Sequence, residues 1–154
     1  MAHVPGLRSP YAKVGRLVYF GRMLDKIRLH AAGQLPAEYQ DNLGDEKHLN
    51  VFDARCCRFV GVKFADLTRR VLAGGTDEEI LAWAHGVGAA RTDEECEIWS
   101  MFMMKRGWRD PASALVQQRI QQFGLTGKPI ETMFDVLDFD EGRDAAAERA
   151  RAGH

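Results

Sequence analysis

One stretch of 18 residues, Gly15–Ala32, constrains the fold more than any other part of the chain. Its apolar side chains recur at three- and four-residue spacing over most of a helical circumference, which predicts a long helix buried inside the domain. Arg22, Asp25 and Arg28 follow one another at three-residue intervals within this stretch. Because residues three apart lie on neighbouring turns, we expect Asp25 to lie within hydrogen-bonding reach of Arg22, Arg28 or both. Two guanidinium groups and one carboxylate leave a surplus positive charge beside the core, and an anion could bind there.

Helix start signals recur along the rest of the chain, whereas strand signals are almost absent. The two Thr-Asp-Glu-Glu segments that begin at Thr76 and Thr92 are capping boxes and predict two helix starts. Asp110-Pro111 predicts a third, because proline suits the first position of a helix. The sequence has no sustained period-two alternation and no Asn-Gly or Asp-Gly hairpin turn. The pattern predicts an all-α protein, a single compact multi-helix domain with a long, central N-terminal helix.

The length of 154 residues suits one domain with its own core. We expect a flexible N-terminus at residues 1–8, a helical domain at 9–142 and a frayed, charged tail at 143–154. Residues 1–35 hold six Lys or Arg and one acid, whereas residues 128–154 hold seven acids and four bases. We therefore expect the two regions to attract each other across the fold.

The composition argues against several classes of protein. A net charge of −1 gives no general affinity for nucleic acid, and the candidate helix-turn-helix at 77–106 begins its second helix with acids that repel phosphate. No apolar stretch is as long as a membrane span, and no secretory signal is visible. The three cysteines do not show the number or spacing of a disulfide framework, which indicates a reducing, cytoplasmic location. Because the histidines and cysteines lack metal-ligand spacing, we expect no metal and no cofactor.

Two further groups of residues allow more than one interpretation. Neighbours such as Cys56 and Cys57 point about 100° apart on a helix, so the two thiols do not share a face. We expect Cys56 to be buried and Cys57, which lies close to Arg55 and Arg58, to be the more reactive thiol. Residues 96–104 combine tryptophan, phenylalanine and methionine around most of a helix. This segment is either ordinary core or half of a homodimer interface, because a monomer rarely exposes a contiguous apolar patch.

Several short segments occur together: Ser9-Pro10, Gly21-Arg-Met-Leu-Asp-Lys-Ile-Arg28, Phe59-Val-Gly61, Asp77-Glu-Glu-Ile80 and Lys105-Arg-Gly-Trp108. On the basis of these segments, the chain resembles a small bacterial domain family of unknown function, number five thousand and sixty-nine in its series. The resemblance covers residues 8–142. The Arg-Met-Leu-Asp-Lys box and the segment from Thr132 to Arg143 are the most specific parts of the resemblance. The resemblance implies a mostly helical single domain, and it carries no established activity, substrate or catalytic residue.

We expect a cytoplasmic helical protein that binds a partner protein or a small anionic ligand, with Arg22, Asp25 and Arg28 as ligand-binding residues. The alternative is an enzyme acting on a small anionic substrate, with Arg22 and Arg28 clamping the anion and Asp25 or Cys57 as the reactive group. In a third interpretation the charged residues form only a structural ion network. A concave pocket lined by Arg22 and Asp25 would favour the enzyme, and the sequence alone does not decide.

Overall fold

A computed structural model describes residues 3–154. Over that range the protein is mostly helical, as the sequence predicts, with one small two-stranded antiparallel sheet. None of the described helices is long and apolar enough to cross a membrane. The elements in chain order are β1 Lys13–Val14, β2 Leu17–Val18, α1 Phe20–Ala31, a 3-10 helix Ala37–Asn42, α2 Phe52–Val60, α3 Phe64–Leu72, α4 Asp77–Val87, α5 Asp93–Lys105, α6 Ser113–Gln122, α7 Met133–Asp140 and α8 Ala145–Arg151.

The predicted helix over Gly15–Ala32 is wrong in its first part. Residues 13–18 form the β1–β2 hairpin, in which Gly15 is the first of two turn residues. Its φ of 56° is a positive value that tight hairpin turns require at this position and that glycine adopts without strain. α1 therefore begins only at Phe20 and is 12 residues long. Short apolar runs fit a strand as well as a helix, which is why periodicity alone misplaced the boundary.

Nine of the 12 residues of α1 are buried, including three charged ones. The helix contributes to a core that also takes side chains from the hairpin, α2, α3, α4, α5 and α7. Since α1 has so little contact with water, its charged side chains must find partners inside the protein. Large core residues that are almost fully buried include Tyr11, Phe20, Leu24, Leu67, Ile80 and Phe134.

Both predicted capping boxes begin helices. The hydroxyl oxygens of Thr76 and Thr92 each accept a hydrogen bond at 3.1 Å from the backbone N–H three residues later, at the starts of α4 and α5. Thr132 caps α7 in the same way at 3.2 Å. The helix start predicted at Asp110-Pro111 lies a few residues too early, and α6 begins at Ser113.

The two segments expected to flank the helical domain both contain buried residues. Residues 1–2 lie outside the described part of the chain, and Val4 and Leu7 are buried. Within the tail predicted at 143–154, residues Ala145–Arg151 form α8, whose Ala145 is fully buried. The alanine-rich composition favours a helix as readily as a frayed end, and α8 packs against α7.

Candidate functional site

The charged residues that the sequence grouped on α1 separate onto two sides of the helix. Asp25 is buried and accepts hydrogen bonds from Arg8 Nε at 2.8 Å and from Arg8 Nη2 at 2.9 Å. Arg28 Nη1 lies 3.6 Å from Asp25, so this predicted ion pair is present. Arg22 instead forms a two-pronged pair with Glu141, at 2.8 and 2.6 Å. Arg22 is therefore not paired with Asp25. Its partner is Glu141, which lies 119 residues further along the chain.

The outer group around Asp25 is balanced in charge. Asp77, at the start of α4, accepts hydrogen bonds from Arg8 at 2.7 Å and from Arg28 at 2.8 Å. Burial opposes ionisation of Asp77, but its hydrogen bonds to Arg28 and Arg8 hold the pKa of its carboxyl below the ordinary value. Two arginines thus meet two aspartates. The surplus positive charge predicted here does not arise, and the group links the N-terminal segment to α1 and α4.

The inner group around Arg22 is almost completely enclosed. Arg22 is 2% exposed and Glu141 is 0% exposed. Glu141 also accepts hydrogen bonds from the Tyr39 hydroxyl at 2.8 Å and from Arg143 Nη1 at 2.5 Å. Burial acts to raise the pKa of Glu141, but Arg22 above all lowers it again, to below the ordinary value. The pair is therefore ionised and held rigidly.

Lys26 lies one turn after Arg22 on the same face of α1 and is also buried. Its Nζ donates to Asp53 Oδ1 at 3.0 Å, to the Asn42 carbonyl at 3.0 Å and to the Tyr19 hydroxyl oxygen at 3.4 Å. Burial lowers the pKa of Lys26 even though Asp53 opposes the change. Lys26 was not among the candidate residues that the sequence pattern predicted. Its four-residue spacing from Arg22 is the signal that could have found it.

A pocket of about 390 Å³ opens against these buried cations. Arg22, Lys26 and Arg106 line it, whereas Glu141 and Asp53, which pair with the first two, do not. Among its described lining residues no side chain is a carboxylate. The lining also contains apolar side chains, those of Val51, Phe52, Leu115, Met133 and Leu137.

A second cluster of positive charge adjoins this pocket. Asn50 lines the pocket, and its carbonyl accepts a hydrogen bond from Arg55 Nε at 3.1 Å. The pKa of Arg55 is lowered by partial burial and by the positive charges of Arg106 and Arg58. Like charges that perturb one another in this way raise the positive potential at the pocket.

A larger pocket of about 510 Å³ on another part of the molecule has a different charge pattern. Lys105 and Arg149 line it together with Glu131 and Asp135, around an apolar surface that includes Trp108. Because both signs of charge are present, this pocket does not select for an anion. The sign of the lining charges therefore favours the pocket on α1 as an anion site.

The cysteines do not provide a reactive group. Cys56 is buried as predicted, but Cys57 is buried too and lies in the second half of α2, with its Sγ 4.0 Å from Met23 Sδ. Burial raises the pKa of the Cys57 thiol well above its ordinary value, so this environment does not favour the thiolate. The nearby arginines, Arg55 and Arg58, point to other partners.

Fold and pocket together define a small helical protein with a cation-lined pocket beside buried ion pairs. The chain belongs to the family described as a domain of unknown function (DUF5069), which it matches over residues 4–143. This confirms the family that the short sequence segments predict. No curated protein and no solved structure matches the chain. The family's description assigns no activity and no site residue, so the function has to be argued from the pocket.

Proposed function

We propose that this protein binds a small anionic ligand with an apolar body in the pocket between α1, α2, the 3-10 helix, α6 and α7. The observation that carries the proposal is the charge of the pocket lining. Arg22, Lys26 and Arg106 are present, and the described lining has no carboxylate. The lining also includes apolar side chains such as Phe52 and Leu137, which suit an aliphatic or aromatic group. Carboxylates, sulfonates and phosphate esters on an organic body share this chemistry.

The three cations contribute in different ways. Arg22 and Lys26 are each held by a carboxylate that does not line the pocket, so each ion pair presents its positive end to the pocket at little reorganisation cost. Arg106 is more loosely held, since its Nη1 lies 3.8 Å from Asp110 and its side chain is 22% exposed. A guanidinium so placed can turn toward an incoming anion and form a charge-assisted hydrogen bond. We therefore assign the direct contact to Arg106.

The enzyme alternative has less support. Asp25, Arg28 and Cys57, which the sequence offered as clamp or reactive groups, do not line this pocket. The lowered pKa of Lys26 is typical of functional sites. Its Nζ nevertheless has three acceptors, which suits a positively charged ammonium group held in place. The three cysteines carry free thiols, which supports the cytoplasmic location included in this proposal.

Anilinonaphthalene sulfonate tests the proposal because it joins a sulfonate to aromatic rings. We expect saturable fluorescence enhancement with the wild-type protein, and about tenfold weaker binding by Arg106→Gln, since one charge-assisted hydrogen bond is lost. Arg119→Gln is the matched control, because Arg119 lies on α6 outside the pocket and bonds to Gln122. Equal affinity of Arg106→Gln and wild type, or equally tight binding of the uncharged ring system, would contradict an anion site.

A further inference from the structure

The face of α5 that points away from the core is apolar in the middle and charged at both ends. Glu94, Ile98, Met101 and Lys105 recur at four-, three- and four-residue spacing, so they lie within an arc of roughly 60°. Ile98 is 64% exposed and Met101 is 38% exposed. The buried residues Cys96, Ser100 and Met103 lie on the opposite side of the helix. We define the stripe by these four residues, and both of its apolar side chains are open to solvent.

We infer that the stripe is the interface of a homodimer in which α5 packs antiparallel against α5 of a second copy. The first turn of the helix is acidic and its last turn is basic. A two-fold axis midway between Trp99 and Ser100 therefore places Glu94 against the partner subunit's Lys105. The same axis places Ile98 against the partner subunit's Met101. Each contact occurs twice, as in any isologous interface.

Charge complementarity favours a second copy of this chain as the partner and the antiparallel orientation of the two α5 helices. A parallel pairing of α5 would bring the acidic turns together, and like charges at a contact weaken it. In the antiparallel pairing every exposed charge of the stripe meets its opposite. The apolar centre supplies the affinity, whereas the two terminal ion pairs, being exposed, chiefly fix the register.

The surface beside the stripe gives the second helix room to dock. Phe59 and Trp99 stack with ring centroids 4.8 Å apart. Together with Ile98 and Phe102 they line a shallow apolar cavity of about 390 Å³. Phe102 is 46% exposed and extends the apolar surface next to Met101. Side chains of a neighbouring α5 can pack into this depression, so the contact is broader than a single row of residues.

Sedimentation equilibrium of the full chain across micromolar concentrations tests the inference. We expect the wild type to dimerise, and Glu94→Lys and Lys105→Glu each to weaken the dimer about tenfold, because each replaces two attractive contacts with repulsive ones. The double variant with both substitutions restores the attraction and should return to the wild-type dissociation constant. This rescue is the decisive result, since both changes oppose the helix dipole and would not restore a merely damaged helix.

Two loop substitutions, Glu46→Lys and Lys47→Glu, change the net charge identically at exposed positions outside α5 and should leave dimerisation unchanged. Ile98→Asp places a charge at the centre of the stripe and should give a monomer with an unchanged circular dichroism spectrum. A wild type that is monomeric throughout the series would overturn the inference. So would a double variant no tighter than the single ones, because the register would then be wrong.

Discussion

Arg22 and Asp25 are neighbours on α1, but water reaches their surroundings to very different degrees. The Arg22 and Glu141 side chains are 2% and 0% exposed. The two arginines around Asp25 are open to solvent, with 32% of the Arg8 side chain and 37% of the Arg28 side chain exposed. An ion left without its partner is costly where it cannot be rehydrated and cheap where it can. The two pairs should therefore respond differently to the loss of a carboxylate.

Glu141→Gln is expected to lower the free energy of unfolding by about 3–5 kcal/mol, because it leaves the Arg22 guanidinium buried without a counter-charge. Asp25→Asn should cost only about 1–2 kcal/mol, since Arg8 and Arg28 keep Asp77 and water as partners. Urea denaturation of both variants, with the exposed Glu46→Gln as control, measures the difference. Equal losses would mean that water hydrates Arg22 through the pocket.

Asp138 gives the protein an unusual response to pH. It is fully buried, its Oδ2 accepts a hydrogen bond from Ser9 Oγ at 2.9 Å, and its Oδ1 faces Arg143 at 3.4 Å. Burial outweighs these contacts and raises its pKa from 3.8 to about 6. The folded protein therefore holds this proton more tightly than the unfolded chain does. The resulting stabilisation is complete at low pH and is lost as the pH rises toward 6.

We expect the unfolding free energy of the wild type, relative to Asp138→Asn, to fall by about 2–3 kcal/mol between about pH 4 and pH 7. Denaturation curves of both proteins at several pH values provide the measurement. The comparison with Asp138→Asn cancels the contributions of the other carboxylates to the pH dependence of the unfolding free energy. Glu141 and Asp77 are examples, and their lowered pKa values make the protein more stable as the pH rises. A difference that rises with pH would show that Asp138 is ionised in its site.

At the scale of elements, the sequence predicted those boundaries whose chemistry is local. Thr76 and Thr92 mark helix starts because each cap bonds to a residue only three positions away. The start of α1 was missed because Tyr19 has a φ of 68°, an uncommon value that distant contacts hold in place. Its N–H donates to the Pro10 carbonyl at 2.9 Å and its hydroxyl donates to Asp53 at 2.7 Å. No pattern within the helix reports such contacts.

The packing of α2 against the end of α4 allows a paired test with glycine substitutions. Gly88 follows α4, and a Cβ there would lie 2.2 Å from the Val60 carbonyl oxygen, which also accepts the Ala89 N–H at 2.8 Å. A Cβ on Gly86, inside α4, would meet nothing within 4 Å. Gly86→Ala should therefore raise the unfolding free energy by about 0.5–1 kcal/mol. Gly88→Ala should lower it by about 2 kcal/mol or more.

Thermal denaturation of the two glycine variants tests this prediction, because both variants add the same methyl group at positions only two residues apart. A rise in melting temperature for Gly86→Ala and a fall for Gly88→Ala is the expected pair of results. Changes of the same sign would show that the ends of α2 and α4 are not in close contact.

At the scale of the whole molecule, the uneven charge distribution was the most useful long-range signal. The attraction predicted between residues 1–35 and 128–154 is present in the ion pair of Arg22 with Glu141. The pocket could not be predicted, because its lining comes from residues 19–137 and depends on how five elements pack. Arg22 was a candidate because the sequence places it on a mostly apolar helix, whereas Arg106 reaches the pocket only through tertiary packing.

The pairing of Arg22 with Glu141 also bears on when the protein can finish folding during its synthesis. The two residues are 119 positions apart. At typical elongation rates, Glu141 leaves the ribosome on the order of 10 s after Arg22. During that interval α1 carries a guanidinium that cannot enter an apolar core without its counter-charge. We therefore expect α1, nine of whose 12 residues are buried in the folded protein, to stay outside the core until Glu141 has left the ribosome, and the pocket to be complete only after that point.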